Sequence, residues 1–463
     1  MDLLIINGKV VTDKKALTAN IAIDKGKIKA IGRNIRPEAR TVIDARGMLV
    51  LPGVIDAHVH FQLPAGGTVT AQDFASGTRA AVCGGVTTVI DFAIQKKGQS
   101  LTQAIRDRRK EADSKVAIDY ALHAVPTDWN KQTKSEISKI AASGISSFKM
   151  YMIYAIAGLM SDDAALYSAL EETSKHGAMV TVHAESAGVL DLLIERYHNQ
   201  PDMKRFGAYC HVLSRPNFIE AEAISRAVGW AEATGGKLYI VHLSTAEGLE
   251  IIRKAKARGV QVFAETCPHY LLFDDSVFKK PDGYLYATCP QIKKKADQQA
   301  LWQGIADGTI SVIATDNCTF TSKQKNRWHG DFTKIPYGIP GVETLLPLLY
   351  SYGVEKNRIS LSRMIELLCV NPAKLFGLYP KKGTIAIGSD ADLVIFDSHK
   401  KVTISHNNLE TNCDWSPYDG FKLTGYPVIT ISRGLIIAQN GKFIGKMGQG
   451  RYLKRSKSQN ISN

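Results

Sequence analysis

Six polar residues in this chain each close an apolar run. They are His58 and His60 in VIDAHVH, Lys149 in SSFK, His183 in VTVH, His242 in YIVH and Asp316 in VIATD. Singly, each has an ordinary explanation. A histidine at a strand end serves as a hydrogen-bonded core residue, Asp316 caps a following helix, and Lys149 snorkels. Together they form a donor set. Imidazoles and a carboxylate suit zinc, manganese and similar divalent ions. Positions 58 and 60 are i and i+2, so on a strand both imidazoles share a face and aim at one spot. Two ions about 3.5–4 Å apart need a bridging anion, and no Asp or Glu of the set lies between the two histidine pairs. A neutral lysine amine adds carbon dioxide to give a carbamate, which is a carboxylate on a long arm. Lys149 stands on the strand where such a bridge belongs.

For these side chains to meet, their strands must end on one rim. In the middle of the chain, apolar strands alternate with helical patterns, the signature of a parallel βα repeat. Eight strands are legible, over 54–61, 86–93, 115–124, 145–152, 178–185, 237–244, 260–267 and 310–317. Most starts are about thirty residues apart, one βαβ step. The long gaps after the fifth and seventh strands read as insertions in βα loops. Periodicity alone leaves an open doubly wound sheet in play. Polar residues closing five of the strands favour an α/β fold with a closed (β/α)8 TIM-like barrel, whose chemistry sits at the carboxyl ends of its strands. Both chain ends have a different texture. LLIINGKVV and ANIAIDKGKIKAIG at the start, and YPVITISRGLIIAQNGKFIG near the end, are strand-rich with N-G and K-G turns. We therefore expect residues 1–52 with 381–450 to form a small β-sandwich domain, 53–380 the barrel, and 451–463 a basic C-terminal tail.

Composition narrows the class. With 44% hydrophobic and 22% charged residues, disordered, collagen-like and coiled-coil chains are excluded. No apolar run approaches the ~18 residues that span a membrane. The start, MDLLIINGKVVTD, has no basic n-region, long apolar stretch or small-residue cleavage site, so secretion is not expected. Seven cysteines without a C-x-x-C pair indicate reduced thiols in a cytoplasm. A net charge of +14 raises the question of nucleic acid. The Lys and Arg residues are spread out, however, and the densest run, RYLKRSK at 451–457, lies in the tail. Aromatic-rich RNA motifs and zinc-finger spacings are absent. The expected reading is a solvated basic surface, with neither nucleic acid nor membrane as partner.

Along essentially its whole length, the chain resembles the dihydropyrimidinase/D-hydantoinase family of cyclic amidohydrolases. The resemblance rests on PGVIDAHVHFQLPAGGTVTAQDF at 52–74, GTRAAVCGGVTTVIDF at 77–92, SSFKMYM at 146–152, TVHAE at 181–185 and LYIVHLS at 238–244. ETCPHYL at 265–271, ATDNCTF at 314–320, GDFTKIPYGIPGVE at 330–343 and NPAKLFGLYPKKGTIAIGSDADLVIFD at 371–397 extend it. It implies that His58, His60 and Asp316 hold the more buried of two divalent ions, zinc or manganese. His183 and His242 would hold the more exposed one, and N6-carboxylated Lys149 would bridge them. It further implies that Tyr154 hydrogen-bonds the substrate and its oxyanion. Thr288, in ATCPQIK, falls where the family usually has a serine in CSPPLR, and Tyr337, in KIPYG, where an asparagine is usual. Both would bind substrate largely through main-chain groups. Leu63 and Ala65 lie in an uncharged loop over the site. Ala65 replaces an often bulky aromatic, which implies a wider pocket for a ring substituent.

The resemblance implies hydrolytic ring opening of a small cyclic amide, a 5,6-dihydropyrimidine or a 5-substituted hydantoin, to an N-carbamoyl amino acid. Asp316 would shuttle the proton. Allantoinase and dihydroorotase chemistry are the alternatives, since both share the metal centre. Gln62 stands where dihydroorotases carry the arginine of H-x-H-x-R, and the E-P-G-R stretch of allantoinases is missing. A non-catalytic scaffold relative would have lost metal ligands, and all six positions are filled here. Family enzymes are usually cytoplasmic homotetramers or homodimers. Asp91, His123, Glu265 and His269, at or just beyond strand ends, are expected to orient ligands or pack.

Overall fold

The computed structural model describes residues 1–12, 15–35 and 37–461. Asp13, the last residue of the amino-terminal stretch read above, and positions 462–463 of the tail lie outside them. Five strands open the chain: β1 (Leu3–Val11), β2 (Ala16–Asp24), β3 (Lys27–Gly32), β4 (Thr41–Asp44) and β5 (Leu49–Pro52). β6 (Val54–Asp56) begins the barrel, and a short hairpin follows, β7 (Pro64–Ala65) and β8 (Thr68–Val69). The barrel continues with β9 (Val86–Ile94), β10 (Asp119–Val125), β11 (Ser147–Tyr151), β12 (Met179–His183), β13 (Lys237–Ile240), β14 (Val262–Thr266) and β15 (Val312–Ile313). The chain ends with β16 (Leu393–Thr403), β17 (Lys422–Ser432), β18 (Leu435–Gln439) and β19 (Lys442–Phe443).

The barrel sheet runs β15-β14-β13-β12-β11-β10-β9-β6, every pairing parallel. Each strand falls inside one of the eight segments expected from periodicity, save for one residue at each of the carboxyl ends of β9 and β10. β9 reads VTTVIDFAI and is buried throughout except at its last residue, as befits a strand covered on both sides. Closure comes from the residues just beyond β6 and β15. Val59 bridges Asn317 in parallel, and His60 N donates to Asn317 O at 2.8 Å. Lower down, buried Asp56 on β6 accepts from Thr315 N at 3.1 Å and from the Thr315 hydroxyl. The seam that shuts the barrel thus sets the 58–60 segment beside Asp316.

Both chain ends build the second sheet, in the order β19-β18-β17-β16-β5-β1-β2-β3 with β4 on β1. β5 pairs parallel with β1 and antiparallel with β16, so the two ends form one continuous mixed sheet rather than two separate ones. Its core draws on both ends, with Ile5, Ile21 and Ile23 packed among Leu393, Ile395 and Ile431.

The carboxyl terminus corrects one expectation. The RYLKRSK run is not a solvated tail. Tyr120 N donates to Arg451 O at 3.0 Å, Leu453 N to Tyr120 O at 2.8 Å and Arg455 N to Gly144 O at 2.8 Å. Leu453 joins the barrel-floor cluster of Ile55, Ile90, Tyr239 and Phe376. Arg455 is 5% exposed and donates to Leu122 O. The segment is a strap across the amino-terminal mouth of the barrel. Inward Leu453 and Arg455 alternate with outward Lys454 in an extended, period-two manner.

Candidate metal centre

His58 and His60 follow β6, Lys149 lies on β11, His183 ends β12, His242 follows β13 and Asp316 follows β15. All six line one cavity of about 1460 Å³ at the carboxyl rim. Nε2 of His58 and Nε2 of His60 lie 3.2 and 3.1 Å from the same Asp316 oxygen. The donor atoms of these three residues fall within 4.8 Å of one another. The His183 and His242 rings sit edge to face at 4.5 Å, and His242 lies 5.6 Å from His58. Lys149, 1% exposed, lies with its amine 5.0 Å from the Tyr151 ring and 5.5 Å from Phe92.

Two carboxylates orient the histidines. Glu265 accepts from Nδ1 of His58 at 2.5 Å, which leaves Nε2 facing Asp316. Glu185 accepts from Nε2 of His183 at 2.8 Å, which leaves Nδ1 free. This carboxylate–histidine pairing fixes tautomer and ring direction in metal sites. Glu265 matches the orienting role expected of it. Glu185 escaped the sequence reading, although the spacing H-x-E in TVHAE carries it. Asp91 accepts from Phe61 N at 2.9 Å and pairs with Arg108. His123 bridges Ser147 and Ala57 O.

Electrostatics suit cation binding. Burial pushes His60, His183 and His242 down, toward the neutral imidazole that a ligand must be. Nδ1 of His242 is buried without a hydrogen-bond partner. Burial pushes the Lys149 amine down to about 7, so a reactive neutral form is present near neutrality. Burial raises Asp316, but His58, His60 and His242 outweigh it and hold the carboxyl far below its ordinary range. Backbone strain gathers here too. Tyr154, His242 and Asp316 adopt φ of 69°, 39° and 50°. Such conformations cost roughly 1–3 kcal/mol each and persist where surrounding structure enforces them.

The remaining expected residues divide. Leu63, Ala65, Tyr154 and Tyr337 line the cavity. Thr288 does not. Its hydroxyl donates to Pro290 O at 2.8 Å, and its carbonyl accepts from His211 at 2.8 Å. The next residue, Cys289, faces the cavity instead, its thiol 3.1 Å from Glu185. Arg215, also missed, sits 3.5 Å from Glu185 and 5.2 Å from the Tyr337 ring centroid. It comes from the long insertion after the fifth barrel strand, where spacing carries no signal.

A parallel barrel with histidines, an aspartate and a buried lysine on its carboxyl rim defines a hydrolase of the amidohydrolase class, a family whose members hold divalent metal ions. The amidohydrolase family profile matches residues 49–436. D-hydantoinase of Geobacillus stearothermophilus is 42% identical over 465 aligned residues, 99% of this chain and 97% of that protein. D-phenylhydantoinase of Escherichia coli O9:H4 (strain HS) is 41% identical, covering 98% of each. The crystal structure of dihydropyrimidinase from Brevibacillus agri NCHU1002 superposes with a TM-score of 0.96 at 38% identity, covering 100% of both chains. The chain belongs to the amidohydrolase family and, within it, to the D-hydantoinase/dihydropyrimidinase group.

Proposed function

We propose that this enzyme opens neutral cyclic amides, 5,6-dihydropyrimidines or 5-substituted hydantoins, by hydrolysis to N-carbamoyl amino acids. The observation that carries the reading is the rim itself, where carboxylate-oriented histidines, Asp316 and a desolvated lysine face one cavity. The donor set fits two divalent ions, zinc or manganese. His58, His60 and Asp316 would hold one, His183 and His242 the other, and Lys149, carboxylated on its amine, would belong to both. When bound, the ions supply Lewis acidity toward the ring carbonyl and activate the attacking water.

The chain's own groups do the rest. The Asp316 carboxylate takes the proton released as water adds to the ring carbonyl carbon. The Tyr154 hydroxyl, kept protonated by burial, donates to the carbonyl oxygen as negative charge develops there. Asp316 then passes its proton to the ring nitrogen as the C–N bond breaks. The products are a carboxylate and a ureido group on one chain. Cys289 and Tyr337 wall the cavity beside Tyr154.

We read the enzyme as a cytoplasmic homotetramer or homodimer acting on small molecules, with no nucleic-acid or membrane partner. Seven cysteines that are all buried and free support a reducing compartment. Among the described residues no helix is long and apolar enough to cross a membrane.

Metal analysis tests the reading. The purified protein should carry about two divalent ions per chain, and mass spectrometry should find a carboxylate on Lys149. Lys149→Ala should lose metal and turnover, with partial rescue by short carboxylic acids. Asp316→Asn should cut turnover at least ~10²-fold. A metal-free Lys149→Ala protein with full activity would refute it.

A further inference from the structure

The cavity is roofed on one side by the β7–β8 hairpin, which contributes Leu63 and Ala65 to its lining. Each strand has two residues, joined by Gly66-Gly67 at φ 58° and 70°, a turn that only glycine adopts freely. So short a ribbon does not hold itself in place. Within it, Thr70 N donates to Leu63 O at 3.0 Å and Leu63 N to the Thr70 hydroxyl at 2.9 Å. Its base is tied by Ala71 N to Thr319 O at 2.8 Å.

The outer strand and tip are held from elsewhere. Nε2 of Gln324 donates to the Thr68 hydroxyl at 2.9 Å and to Val69 O at 2.7 Å. Arg327 donates to Gly67 O at 3.0 Å. The Gln324 carbonyl is also engaged, accepting from Thr321 N at 2.8 Å and closing the cap of the helix Ser322–Lys325. The next residue, fully buried Lys325, donates to Ala287 O at 2.9 Å, the carbonyl that also accepts from Gly338 N at 2.9 Å. One short segment thus binds the hairpin on one side and the loops bearing Cys289 and Tyr337 on the other. Gln324 itself is absent from the cavity lining.

We propose that Gln324 is a positioning residue that latches the β7–β8 hairpin over the cavity and thereby sets how strongly the enzyme favours rings with a bulky 5-substituent. The proposal rests on the cyclic-amide reading. A small unsubstituted ring needs only the rim, whereas a bulky substituent needs the Leu63 and Ala65 wall held still.

The test uses Gln324→Glu, which keeps the capping oxygen and the shape but loses both donated hydrogen bonds, and Thr68→Val, which removes one acceptor from the hairpin side. Hydrogen exchange of the amides in 63–70 is measured on the metal-loaded protein, with kcat and KM for 5-phenylhydantoin and dihydrouracil and the thermal midpoint. In Gln324→Glu, hairpin exchange should rise about tenfold, and kcat/KM for 5-phenylhydantoin should fall about tenfold through KM, while dihydrouracil changes less than about twofold. Thr68→Val should move in the same direction by less. Unchanged exchange, unchanged discrimination, or an equal loss on both substrates with a lowered thermal midpoint would overturn the proposal. A wild-type protein that opens neither ring would refute the cyclic-amide reading and the discrimination with it. The exchange result separates that failure from failure of the latch.

Discussion

Glu265 accepts a hydrogen bond from Nδ1 of His58 at 2.5 Å, although 207 residues separate them in the chain. The same carboxylate oxygen accepts from His242 N at 3.1 Å, and the other accepts from the Tyr239 hydroxyl at 2.9 Å. One buried side chain therefore fixes a histidine from each half of the donor set. Glu265→Gln keeps the volume and loses the charge. It should weaken metal affinity about 10- to 100-fold, read by competition with a chelator, while the fold persists. Unaltered affinity would reduce Glu265 to packing.

Lys149 gives a pH signature in metal-free protein. Burial lowers its amine to about 7 from the ordinary 10.5. Between these values the unfolded chain binds a proton that the folded chain does not, so stability rises with pH across that window and is lost as pH falls toward about 7. Lys149→Met removes the titration. Urea midpoints of the metal-free proteins at about pH 7 and about pH 9 should show a rise in wild type that the variant lacks. Parallel behaviour would mean the amine is not desolvated.

Tyr154 is held at φ 69° with its ring 5.3 Å from His183. A hydroxyl donating to the developing oxyanion matters more in the transition state than in the bound substrate. Tyr154→Phe should lower kcat about 10²-fold and change KM far less. A rise in KM at constant kcat would make the residue a substrate clamp only.

The barrel and the metal-ligand candidates were legible because both obey short-range rules. Apolar strands recur at βα spacing, and a polar residue that ends an apolar run in a parallel barrel reaches the rim. Cys289 and Arg215 come from the insertions after the seventh and fifth barrel strands. Their approach to the cavity depends on loop paths that no local period encodes. At ATCPQIK a one-residue offset separates Thr288, turned toward His211 and Pro290, from Cys289, turned inward. The terminal strap was misread for a physical reason. Its charge density suggests solvation, yet Arg455 is buried because the barrel-floor carbonyl of Leu122 takes its guanidinium and Phe376 lies 6.0 Å away.

Substrate charge tests the central claim most directly. Of the cations that line the cavity, Nε of Arg108 donates to Asp91 at 2.8 Å, Lys334 pairs with Asp331 at 3.2 Å, Arg215 lies 3.5 Å from Glu185, and Arg327 donates to Gly67 O. Gln62, which also lines the cavity, carries no charge. A ring carboxylate set against Gln62 would lack the charge-assisted partner that contributes ~1.5–3 kcal/mol, roughly ten- to hundredfold in specificity. The measurement is kcat/KM of the metal-loaded protein for dihydrouracil, 5-phenylhydantoin and dihydroorotate, with the N-carbamoyl product identified in each case. The account predicts that both neutral rings are opened and that dihydroorotate lags by that factor. Dihydroorotate as the best of the three, or none of them opened, would contradict it.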